Sequence, residues 1–360
     1  MVVPAMPLAA QGSASTTADP HPRATALASR DTARFFQDYV QSDGRVVRKD
    51  QGGDTVSEGQ SYAMLLAVAS YDRAEFAQVW AWTEGHLEQP DGLFAWHWAN
   101  GAVTDRSSAS DADLAIAWAL SLAAARFASP TYAAAARMVA GAILTHETVQ
   151  SGGGPVLVAG PWAVGDPATV DPSYFSPLAF DSLGGLTGDP RWAEMSASSL
   201  SALQQLTTSP SRLPPDWATL SRGSGAVVDS AGPDGARSPS YGLDAARAEV
   251  WYAPACQAAD RAISASAWPL LAQNATNRRF PIDSTLDGQS TSTYTNALIA
   301  VADAASAEAA GAGGAAGLLA TADSINSRWP TYYGSAWDAL GRVLLTTHEL
   351  GACAPAAGTR

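Results

Sequence analysis

Helical segments alternate with turn signals from residue 31 almost to the end of the chain, and this constrains the fold more than any other feature. Apolar residues recur at a helical spacing, as at Ala115 and Trp118, and breaks such as Ser129-Pro130 separate the segments. No convincing alternating strand is predicted. The predicted helices are 31–41, 57–70, 73–88, 109–127, 130–146, 174–187, 190–206, 240–256, 260–273, 293–310, 313–327 and 334–349.

Twelve helices joined mostly as close pairs make six helical hairpins, which either stack as a solenoid or close into a ring. We expect the ring, an all-α (α/α)6 barrel whose even-numbered helices form the inner layer. The long connections 89–108, 147–172, 207–239 and 274–292 all precede even-numbered helices. Because long loops grouped at one end of a scaffold commonly build a site, we place the active site where the even helices begin.

One domain accounts for most of the chain. The 360 residues of the chain suffice for a large core. We assign 29–352 to a single catalytic domain and 353–360 to a C-terminal tail. Residues 1–28 are apolar and then rich in Ala, Ser, Thr and Pro, which fits a signal-peptide remnant or a disordered leader. We interpret them as a sign of a secreted or extracytoplasmic protein, and we expect a monomer.

Charge and cysteine content exclude several classes of function. The formal net charge of −13 argues against nucleic acid and anionic membrane surfaces as partners, and it favours a neutral or cationic ligand. No apolar run approaches the roughly 20 residues that span a bilayer, so stable membrane insertion is not expected. Cys256 and Cys353 are the only cysteines, which leaves one bridge open but no CxxC metal pattern.

Glu58 stands in "TVSEGQSYAMLLAVAS", at the mouth of an otherwise uncharged helical stretch. Ser57 and Gln60 fit an S-x-x-Q capping box, with Glu58 in the first turn facing the positive end of the helix dipole. Capping alone therefore justifies an acidic residue at this position. The alternative is that Glu58 serves chemistry.

Two other even-numbered helices open in the same way. In "SASDADLAIAW" Ser110 is a predicted cap followed by Asp111 and Asp113, and in "SPSYGLDAARAEVW" Ser240 is a predicted cap before Asp244. Arg247 follows Asp244 at i+3, a spacing that favours an ion pair that orients the carboxylate. If the barrel closes, Glu58, Asp111 and Asp244 converge at one end of its inner ring.

Converging carboxylates beside aromatic residues are what glycosidic bond cleavage requires. One carboxyl must be protonated to assist the leaving oxygen, and another must be ionised to activate water or attack carbon. A helix N-terminus lowers the pKa of a glutamate, which is the wrong direction for a general acid. Glu58 therefore needs burial, or the like charge of Asp111, to raise its pKa.

These motifs resemble glycoside hydrolase family 8, and in particular its bacterial endoglucanases found beside cellulose synthase. "SEGQSYAM" (57–64) and "SASDADLAIAWAL" (108–120) are similar to its two acidic motifs, and "DPSYFSPLAF" (171–180), "PDW" (215–217) and "DAAR" (244–247) to later landmarks. The resemblance implies an (α/α)6 barrel, inverting hydrolysis and a β-1,4-linked glycan.

Carried over by position, the resemblance makes Glu58 the proton donor, Asp111 the residue that binds the distorted sugar at the cleavage site, and Asp244 the base. The sequence departs from the family pattern before Asp244, where Leu243 stands in place of the expected tyrosine.

Further side chains near the even helix starts and in "FAWHWANG" (94–101) are candidates for holding the sugar, since aromatic faces suit sugar rings and phenols donate hydrogen bonds. Packing is the alternative for the aromatic residues, and we favour only one of the two loop tryptophans as a platform. No metal or cofactor is expected, because the histidines are scattered and no ligand cluster appears. The predicted substrate-binding residues are Tyr62, Trp96, Trp98, Asp113, Tyr174, Tyr241 and Arg247.

The leading hypothesis is an endo-β-1,4-glucanase that cleaves internal bonds of cellulose or a related β-glucan. The same fold acting on xylan or chitosan is an alternative, and the acidic surface suits cationic chitosan. Another is a catalytically weak glycan-binding protein of a polysaccharide synthesis machine. The expected partner is a β-1,4-linked polysaccharide or oligosaccharide, with a cellulose synthase complex as a further possibility.

Overall fold

Twelve α-helices follow one another in the part of the chain that the structure describes, each within or overlapping one predicted segment. The computed structural model describes residues 22–208, 212–233 and 238–351. The helices are α1 Pro22–Tyr39, α2 Ser57–Ala69, α3 Arg73–Leu87, α4 Ser110–Arg126, α5 Pro130–His146, α6 Pro177–Thr187, α7 Arg191–Thr207, α8 Ala246–Tyr252, α9 Ala258–Asn277, α10 Ala297–Ala309, α11 Ala315–Arg328 and α12 Tyr332–Thr346.

The even-numbered helices close into a ring. Each contacts the next, from α2 to α4 and on to α12, and α12 packs back against α2. The odd-numbered helices lie outside, α3 against α2, α5 against α4, and α1 against α12. Nearly every residue of α2 and α10 and most residues of α4 are buried, as expected for helices of an inner layer. The predicted (α/α)6 barrel is confirmed.

Two helices begin more than four residues from their predicted starts. α1 begins nine residues before the predicted start at residue 31, so it takes in the last part of the segment predicted as a leader. α8 spans only Ala246–Tyr252, because the segment before it forms a loop in which Tyr241 bridges Ser284. Residues 1–21 of the predicted leader and the predicted tail 353–360 lie outside the described residues.

Within the described residues, eight short strands lie in the long loops, contrary to the expectation of no strands. They form a three-stranded, a two-stranded and a second three-stranded antiparallel sheet, ordered β1-β2-β3, β4-β5 and β6-β7-β8. All precede even-numbered helices, so they stiffen the loops at the end of the barrel where those helices begin. The strands are β1 Thr55–Val56, β2 His97–Ala99, β3 Ala102–Asp105, β4 Thr148–Ser151, β5 Gly154–Leu157, β6 Ala168–Val170, β7 Trp217–Leu220 and β8 Val227–Ser230.

Side chains cap several outer helices. Asp72 accepts a hydrogen bond from Glu75 N at 2.9 Å before α3, and Ser129 accepts one from Tyr132 N at 3.3 Å before α5. Within the described ranges, no helix is long and apolar enough to cross a membrane. Cys256 is disulfide-bonded, and Cys353 lies outside the described residues.

Candidate active site

One buried arginine gathers four carboxylates where the inner helices begin. Arg247, on α8, is 2% exposed, and its Nη1 lies 2.7 Å from Asp111 Oδ2 and 3.3 Å from Glu58 Oε2. Its Nη2 lies 3.1 Å from Asp244 Oδ1 and 3.4 Å from Asp171 Oδ2. The structure thus brings together the three predicted acids, and the predicted ion pair of Asp244 with Arg247 is present.

The start of α2 does not form the predicted capping box. Val56 holds the N-cap position, and the buried hydroxyl of Ser57 has no hydrogen-bond partner among the described residues. The Gln60 side chain turns into the core, where it accepts from Val46 N at 2.6 Å and donates to Thr83 Oγ1 at 2.9 Å. The capping prediction is wrong because a fully buried amide satisfies its polar atoms with core backbone and side-chain groups.

Glu58 has the pKa that a general acid needs. Its side chain is 22% exposed, and its Oε1 accepts a hydrogen bond from the hydroxyl of Tyr332 at 3.2 Å. Burial raises the pKa of Glu58 to about 7; Arg247 and the Tyr332 hydroxyl oppose the rise, and the charges of Asp111 and Asp244 add to it. Burial and like charge, the two causes that the sequence required, both act here.

On α4 only one of the two predicted aspartates faces the cluster. Asp111 accepts from Ala112 N at 2.8 Å through Oδ1, which leaves Oδ2 for the arginine, and burial raises its pKa. Asp113 is fully buried on the far side, where it accepts from Phe94 N at 3.0 Å. Residues two apart on a helix lie about 200° apart, so the structure does not bring Asp113 to the cluster as the sequence analysis expected.

Ser110 also fails to cap its helix. Ala109 holds the N-cap position of α4, and the Ser110 hydroxyl donates to the carbonyl of Val158. The neighbour of Asp113 in the interior is Glu147, likewise fully buried, and burial raises the pKa of both carboxyls well above the usual range. These two acids belong to the core behind the site.

A second aspartate positions Asp244. Asp216 Oδ1 accepts from Gly242 N at 3.0 Å and from Ala245 N at 2.8 Å, and its Oδ2 accepts from the Ser240 hydroxyl at 3.0 Å. Ser240 therefore anchors the loop instead of capping α8. Burial raises the pKa of Asp216 to about 6. Asp216 lies in the "PDW" landmark, which was the one signal for it in the sequence.

Asp171 and Ser173 complete the surroundings of the arginine, and neither was predicted. Ser173 donates to Asp171 Oδ1 at 2.7 Å and accepts from Arg247 Nε at 3.1 Å. Asp171 is fully buried, and burial raises its pKa well above the usual range. Both lie in "DPSYFSPLAF", so the motif was recognised from the sequence, but the contacts of these two residues with Arg247 were not predicted.

Two of the three predicted tyrosines lie at the site. The Tyr62 hydroxyl is 3.5 Å from Arg247 Nη1, and the Tyr174 ring lies 5.1 Å from the guanidinium carbon. Tyr241 instead points into the core and donates to Glu249 Oε2 at 3.3 Å, so the structure does not bring it to the site. The backbone bridge before α8 turns its ring inwards.

The two loop tryptophans have different surroundings. Trp96 stacks on His97 at 4.8 Å, and its carbonyl accepts from Ser57 N at 3.0 Å, next to the catalytic candidate on α2. Trp98 packs against Trp82 at 5.4 Å and under Arg45 at 4.2 Å. A register shift between His97 and Trp98 interrupts the regular alternation that the sequence suggested. Packing therefore accounts for Trp98, and its predicted contact with substrate is not supported.

An aromatic row leads from the arginine towards the surface. The rings of Tyr174 and Trp217 are 6.4 Å apart, and those of Trp217 and Trp162 are 6.5 Å apart. Trp162 is 49% exposed. Neither tryptophan was named from the sequence, because they lie in separate loops that only the fold brings together.

In the described part of the chain, one group of carboxylates is spaced closely enough to hold a metal ion, and it lies outside the Arg247 cluster. Asp31, Asp323 and Asp338 have ligand atoms within 4.8 Å of one another. Arg342 pairs with Asp31 at 2.5 Å, and Arg30 pairs with Asp323 at 2.7 Å. Since arginines already offset these charges, the cluster fits an ion-pair network.

Comparisons with known proteins agree with this geometry. The model of glycosyl hydrolases family 8 matches residues 10–347. A probable endoglucanase of Novacetimonas hansenii is 34% identical over 65% of this chain and 68% of its own length. An endoglucanase of Cellulomonas uda is 31% identical over 52% of this chain and 54% of its own.

Among solved structures, the endo-β-1,4-glucanase CMCax of Acetobacter xylinum superposes with a TM-score of 0.74 at 26% identity, covering 88% of this chain and 97% of that one. The family match spans nearly the whole barrel and includes every residue of the carboxylate cluster. The chain therefore belongs to glycoside hydrolase family 8.

Proposed function

We propose that this family 8 hydrolase is an inverting endo-β-1,4-glucanase with Glu58 as general acid and Asp244 as general base. The observation that carries the proposal is that the two carboxylates contact different nitrogens of one guanidinium, at 3.3 Å and 3.1 Å, so that the arginine separates them. An inverting pair stands about 6.5–9.5 Å apart to admit a water molecule, whereas a retaining pair stands closer.

The reaction consumes one water. Protonated Glu58 gives its proton to the glycosidic oxygen as the bond from that oxygen to the anomeric carbon breaks. Asp244 takes a proton from a water whose oxygen bonds to the same carbon from the opposite face, which inverts the configuration. Asp244 suits this role because its side chain is 41% exposed, the most open of the four acids to water.

The remaining acids hold the site in shape. Asp111 takes the shortest ion pair with Arg247 and lies beside Glu58, where it is placed to bind the sugar at the cleavage point. Asp171 holds the other side of the guanidinium. Because a buried arginine must have its charge compensated, these contacts keep Arg247 between acid and base.

The substrate class is argued from the relatives and from the aromatic row. The relatives reported above are named endoglucanases, and Tyr174, Trp217 and Trp162 offer successive rings to a linear glucan chain. Trp96 is the further platform that we propose. The enzyme would act as a secreted or extracytoplasmic monomer, and association with a cellulose synthase complex stays a prediction.

The first experiment compares reducing-sugar release from carboxymethyl cellulose by the wild type and by Glu58→Gln. The substitution keeps the size of the side chain but removes the transferable proton, so we expect a loss of at least about 100-fold. Glu84→Gln, the same change at an exposed position on α3, is the matched control and should retain full activity.

Product stereochemistry and a substrate panel complete the test. Proton NMR of the first products should show the α anomer released from a β-linked oligosaccharide. Release of the β anomer would refute inversion, and full activity of Glu58→Gln would refute the assignment of the acid. Higher activity on xylan or chitosan than on glucan would assign that polymer as the substrate instead. Inactivity on all three polymers would favour a glycan-binding protein.

A further inference from the structure

A groove of about 650 Å³ lies beside the starts of α10 and α12, and it shares no lining residue with the carboxylate cluster. The end of α9, the segments 278–281 and 292–295, and one face of α11 line it. Phe280, Leu318 and Ile325 form an apolar floor. Gly317, on α11, also lines the groove, and a Cβ added there meets no atom within 4 Å.

Two aromatic side chains present their rings to solvent in this groove. Tyr294 is 75% exposed and Trp329 is 52% exposed. Single exposed aromatic residues are ordinary, but two that line one groove form a patch of the kind that marks a binding site. Flat apolar faces with open approach suit the C–H faces of sugar rings.

Arginines surround the same groove. Arg278 and Arg279 line it, and the guanidinium carbon of Arg328 lies 4.5 Å from the Trp329 ring centroid. Among the residues that the structure describes, none of these three arginines forms an ion pair with a carboxylate. Unpaired positive charge gathered at one place contrasts with a net charge of −13 over the whole chain.

The positions of the arginines have a partial local explanation. Arg278 follows the last residue of α9, and Arg328 is the last residue of α11, where cations offset the partial negative charge of a helix C-terminus. The dipoles do not explain why two exposed rings flank the same groove. Aromatic rings and unpaired guanidinium groups together complement a ligand that has both ring faces and negative charge.

We propose that this groove binds a polysaccharide strand that carries acidic groups. Tyr294 and Trp329 stack on its sugar rings, while Arg278, Arg279 and Arg328 pair with its carboxylates. The inference goes beyond the proposed hydrolysis, because it concerns a second site that needs no catalytic residue. It assigns to this patch of the barrel the attraction of acidic glycans that the overall charge opposes.

Affinity gel electrophoresis tests the site, with Glu58→Gln as the parent protein so that the polymer is not cut. The embedded probes are carboxymethyl cellulose, polygalacturonate and neutral hydroxyethyl cellulose. We expect stronger retention by the two acidic polymers. Trp329→Ala and Gly317→Gln should each weaken that retention about tenfold, the size of one lost aromatic contact. Gly317→Gln starts from a position with space for a Cβ, should extend into the groove, and replaces glycine with a better helix former.

A charge-matched pair separates the groove from general electrostatics. Arg279→Gln should weaken retention, whereas Arg137→Gln, at an exposed position on α5, should not. Equal effects of the two changes, or unaltered retention of folded Trp329→Ala, would overturn the proposal. Equal retention by the neutral polymer would overturn the preference for acidic glycans.

Hydrolysis of a short substrate distinguishes a failure of the proposed function from a failure of the second site. With Glu58 restored, the groove variants should hydrolyse cellopentaose at the wild-type rate, because so short a substrate needs only the cleft. Slower hydrolysis by these variants would show that the groove belongs to the cleft and would overturn a separate site. Inactivity of the wild type on cellopentaose would refute the proposed function, while groove-dependent retention by acidic polymers would still establish the second site.

Discussion

The hydroxyl of Tyr332 is expected to control the upper pH limit of activity through Glu58. It donates to Glu58 Oε1 at 3.2 Å and so stabilises the carboxylate, which lowers the pKa of Glu58 from the value that burial alone would give. Tyr332→Phe removes this donor and should raise that pKa. The general acid would then keep its proton to higher pH.

The size of the shift follows from the contact. A hydrogen bond to a charged group contributes about 1.5–3 kcal/mol, which corresponds to roughly one to two pKa units. Because the Glu58 side chain is 22% exposed, water replaces part of the lost bond and the lower end applies. The pKa of Glu58, about 7 in the wild type, should therefore rise by about one unit in Tyr332→Phe.

The assay is the pH dependence of kcat/KM on a soluble cello-oligosaccharide, which reports the free enzyme. The descending limb should lie near pH 7 in the wild type and move upwards in Tyr332→Phe. Tyr333→Phe is the matched control, since in the described part of the chain the buried Tyr333 hydroxyl has no hydrogen-bond partner. The descending limb of the Tyr333→Phe profile should not move.

Gly59 offers an independent way to break the same contact. A Cβ at Gly59 would lie 2.7 Å from the Tyr332 hydroxyl, closer than real Cβ contacts allow, so Gly59→Ala should displace the phenol. Its descending limb should move upwards as in Tyr332→Phe. A limb that stays in place in both variants, or moves to lower pH, would refute the role of Tyr332 and the assignment of the limb to Glu58.

Three further predictions concern stability, loop position and substrate binding. Burial raises the pKa of Glu249 from 4.5 to about 8, so the folded state binds more protons and stability should fall as pH rises between these values; Glu249→Gln should flatten the fall in Tm. Gly242→Ala would place a Cβ 2.5 Å from Asp216 Oδ2, so it should displace the loop that carries Asp244 and lower kcat about tenfold or more, with Tm nearly unchanged. Trp162→Ala should raise KM for carboxymethyl cellulose about tenfold and leave kcat unchanged, measured by initial rates.

The barrel was predictable because its evidence is local. Helical spacing and breaks are read within a few turns, and the position of long loops before even-numbered helices indicates where those helices begin. The prediction that Glu58, Asp111 and Asp244 converge follows from that topology alone. The short strands were missed because segments of two to four residues are too short to show an alternating pattern.

The contacts within the site were harder to predict, because they join residues far apart in the chain. Tyr332 reaches Glu58 across 274 positions, and Ser173 meets Arg247 across 74. The predicted serine caps failed for a related reason, since a short polar side chain beside a helix start has other partners once the loops fold over it. The separation of Asp113 from the cluster was predictable, because helix geometry alone places its side chain opposite that of Asp111.

Unequal sharing of one guanidinium nitrogen supports Glu58, and not Asp111, as the proposed acid. Both carboxylates contact Arg247 Nη1, Asp111 at 2.7 Å and Glu58 at 3.3 Å. The shorter contact compensates Asp111 more fully, since charge-assisted hydrogen bonds strengthen as they shorten. Glu58 has the longer contact with Arg247, and its side chain is largely buried beside the Tyr332 hydroxyl. The nearby charge of Asp111 further favours the protonated form of Glu58. Burial is the main cause of the raised pKa of Glu58, and the unequal contacts with Arg247 favour protonation of Glu58 over protonation of Asp111.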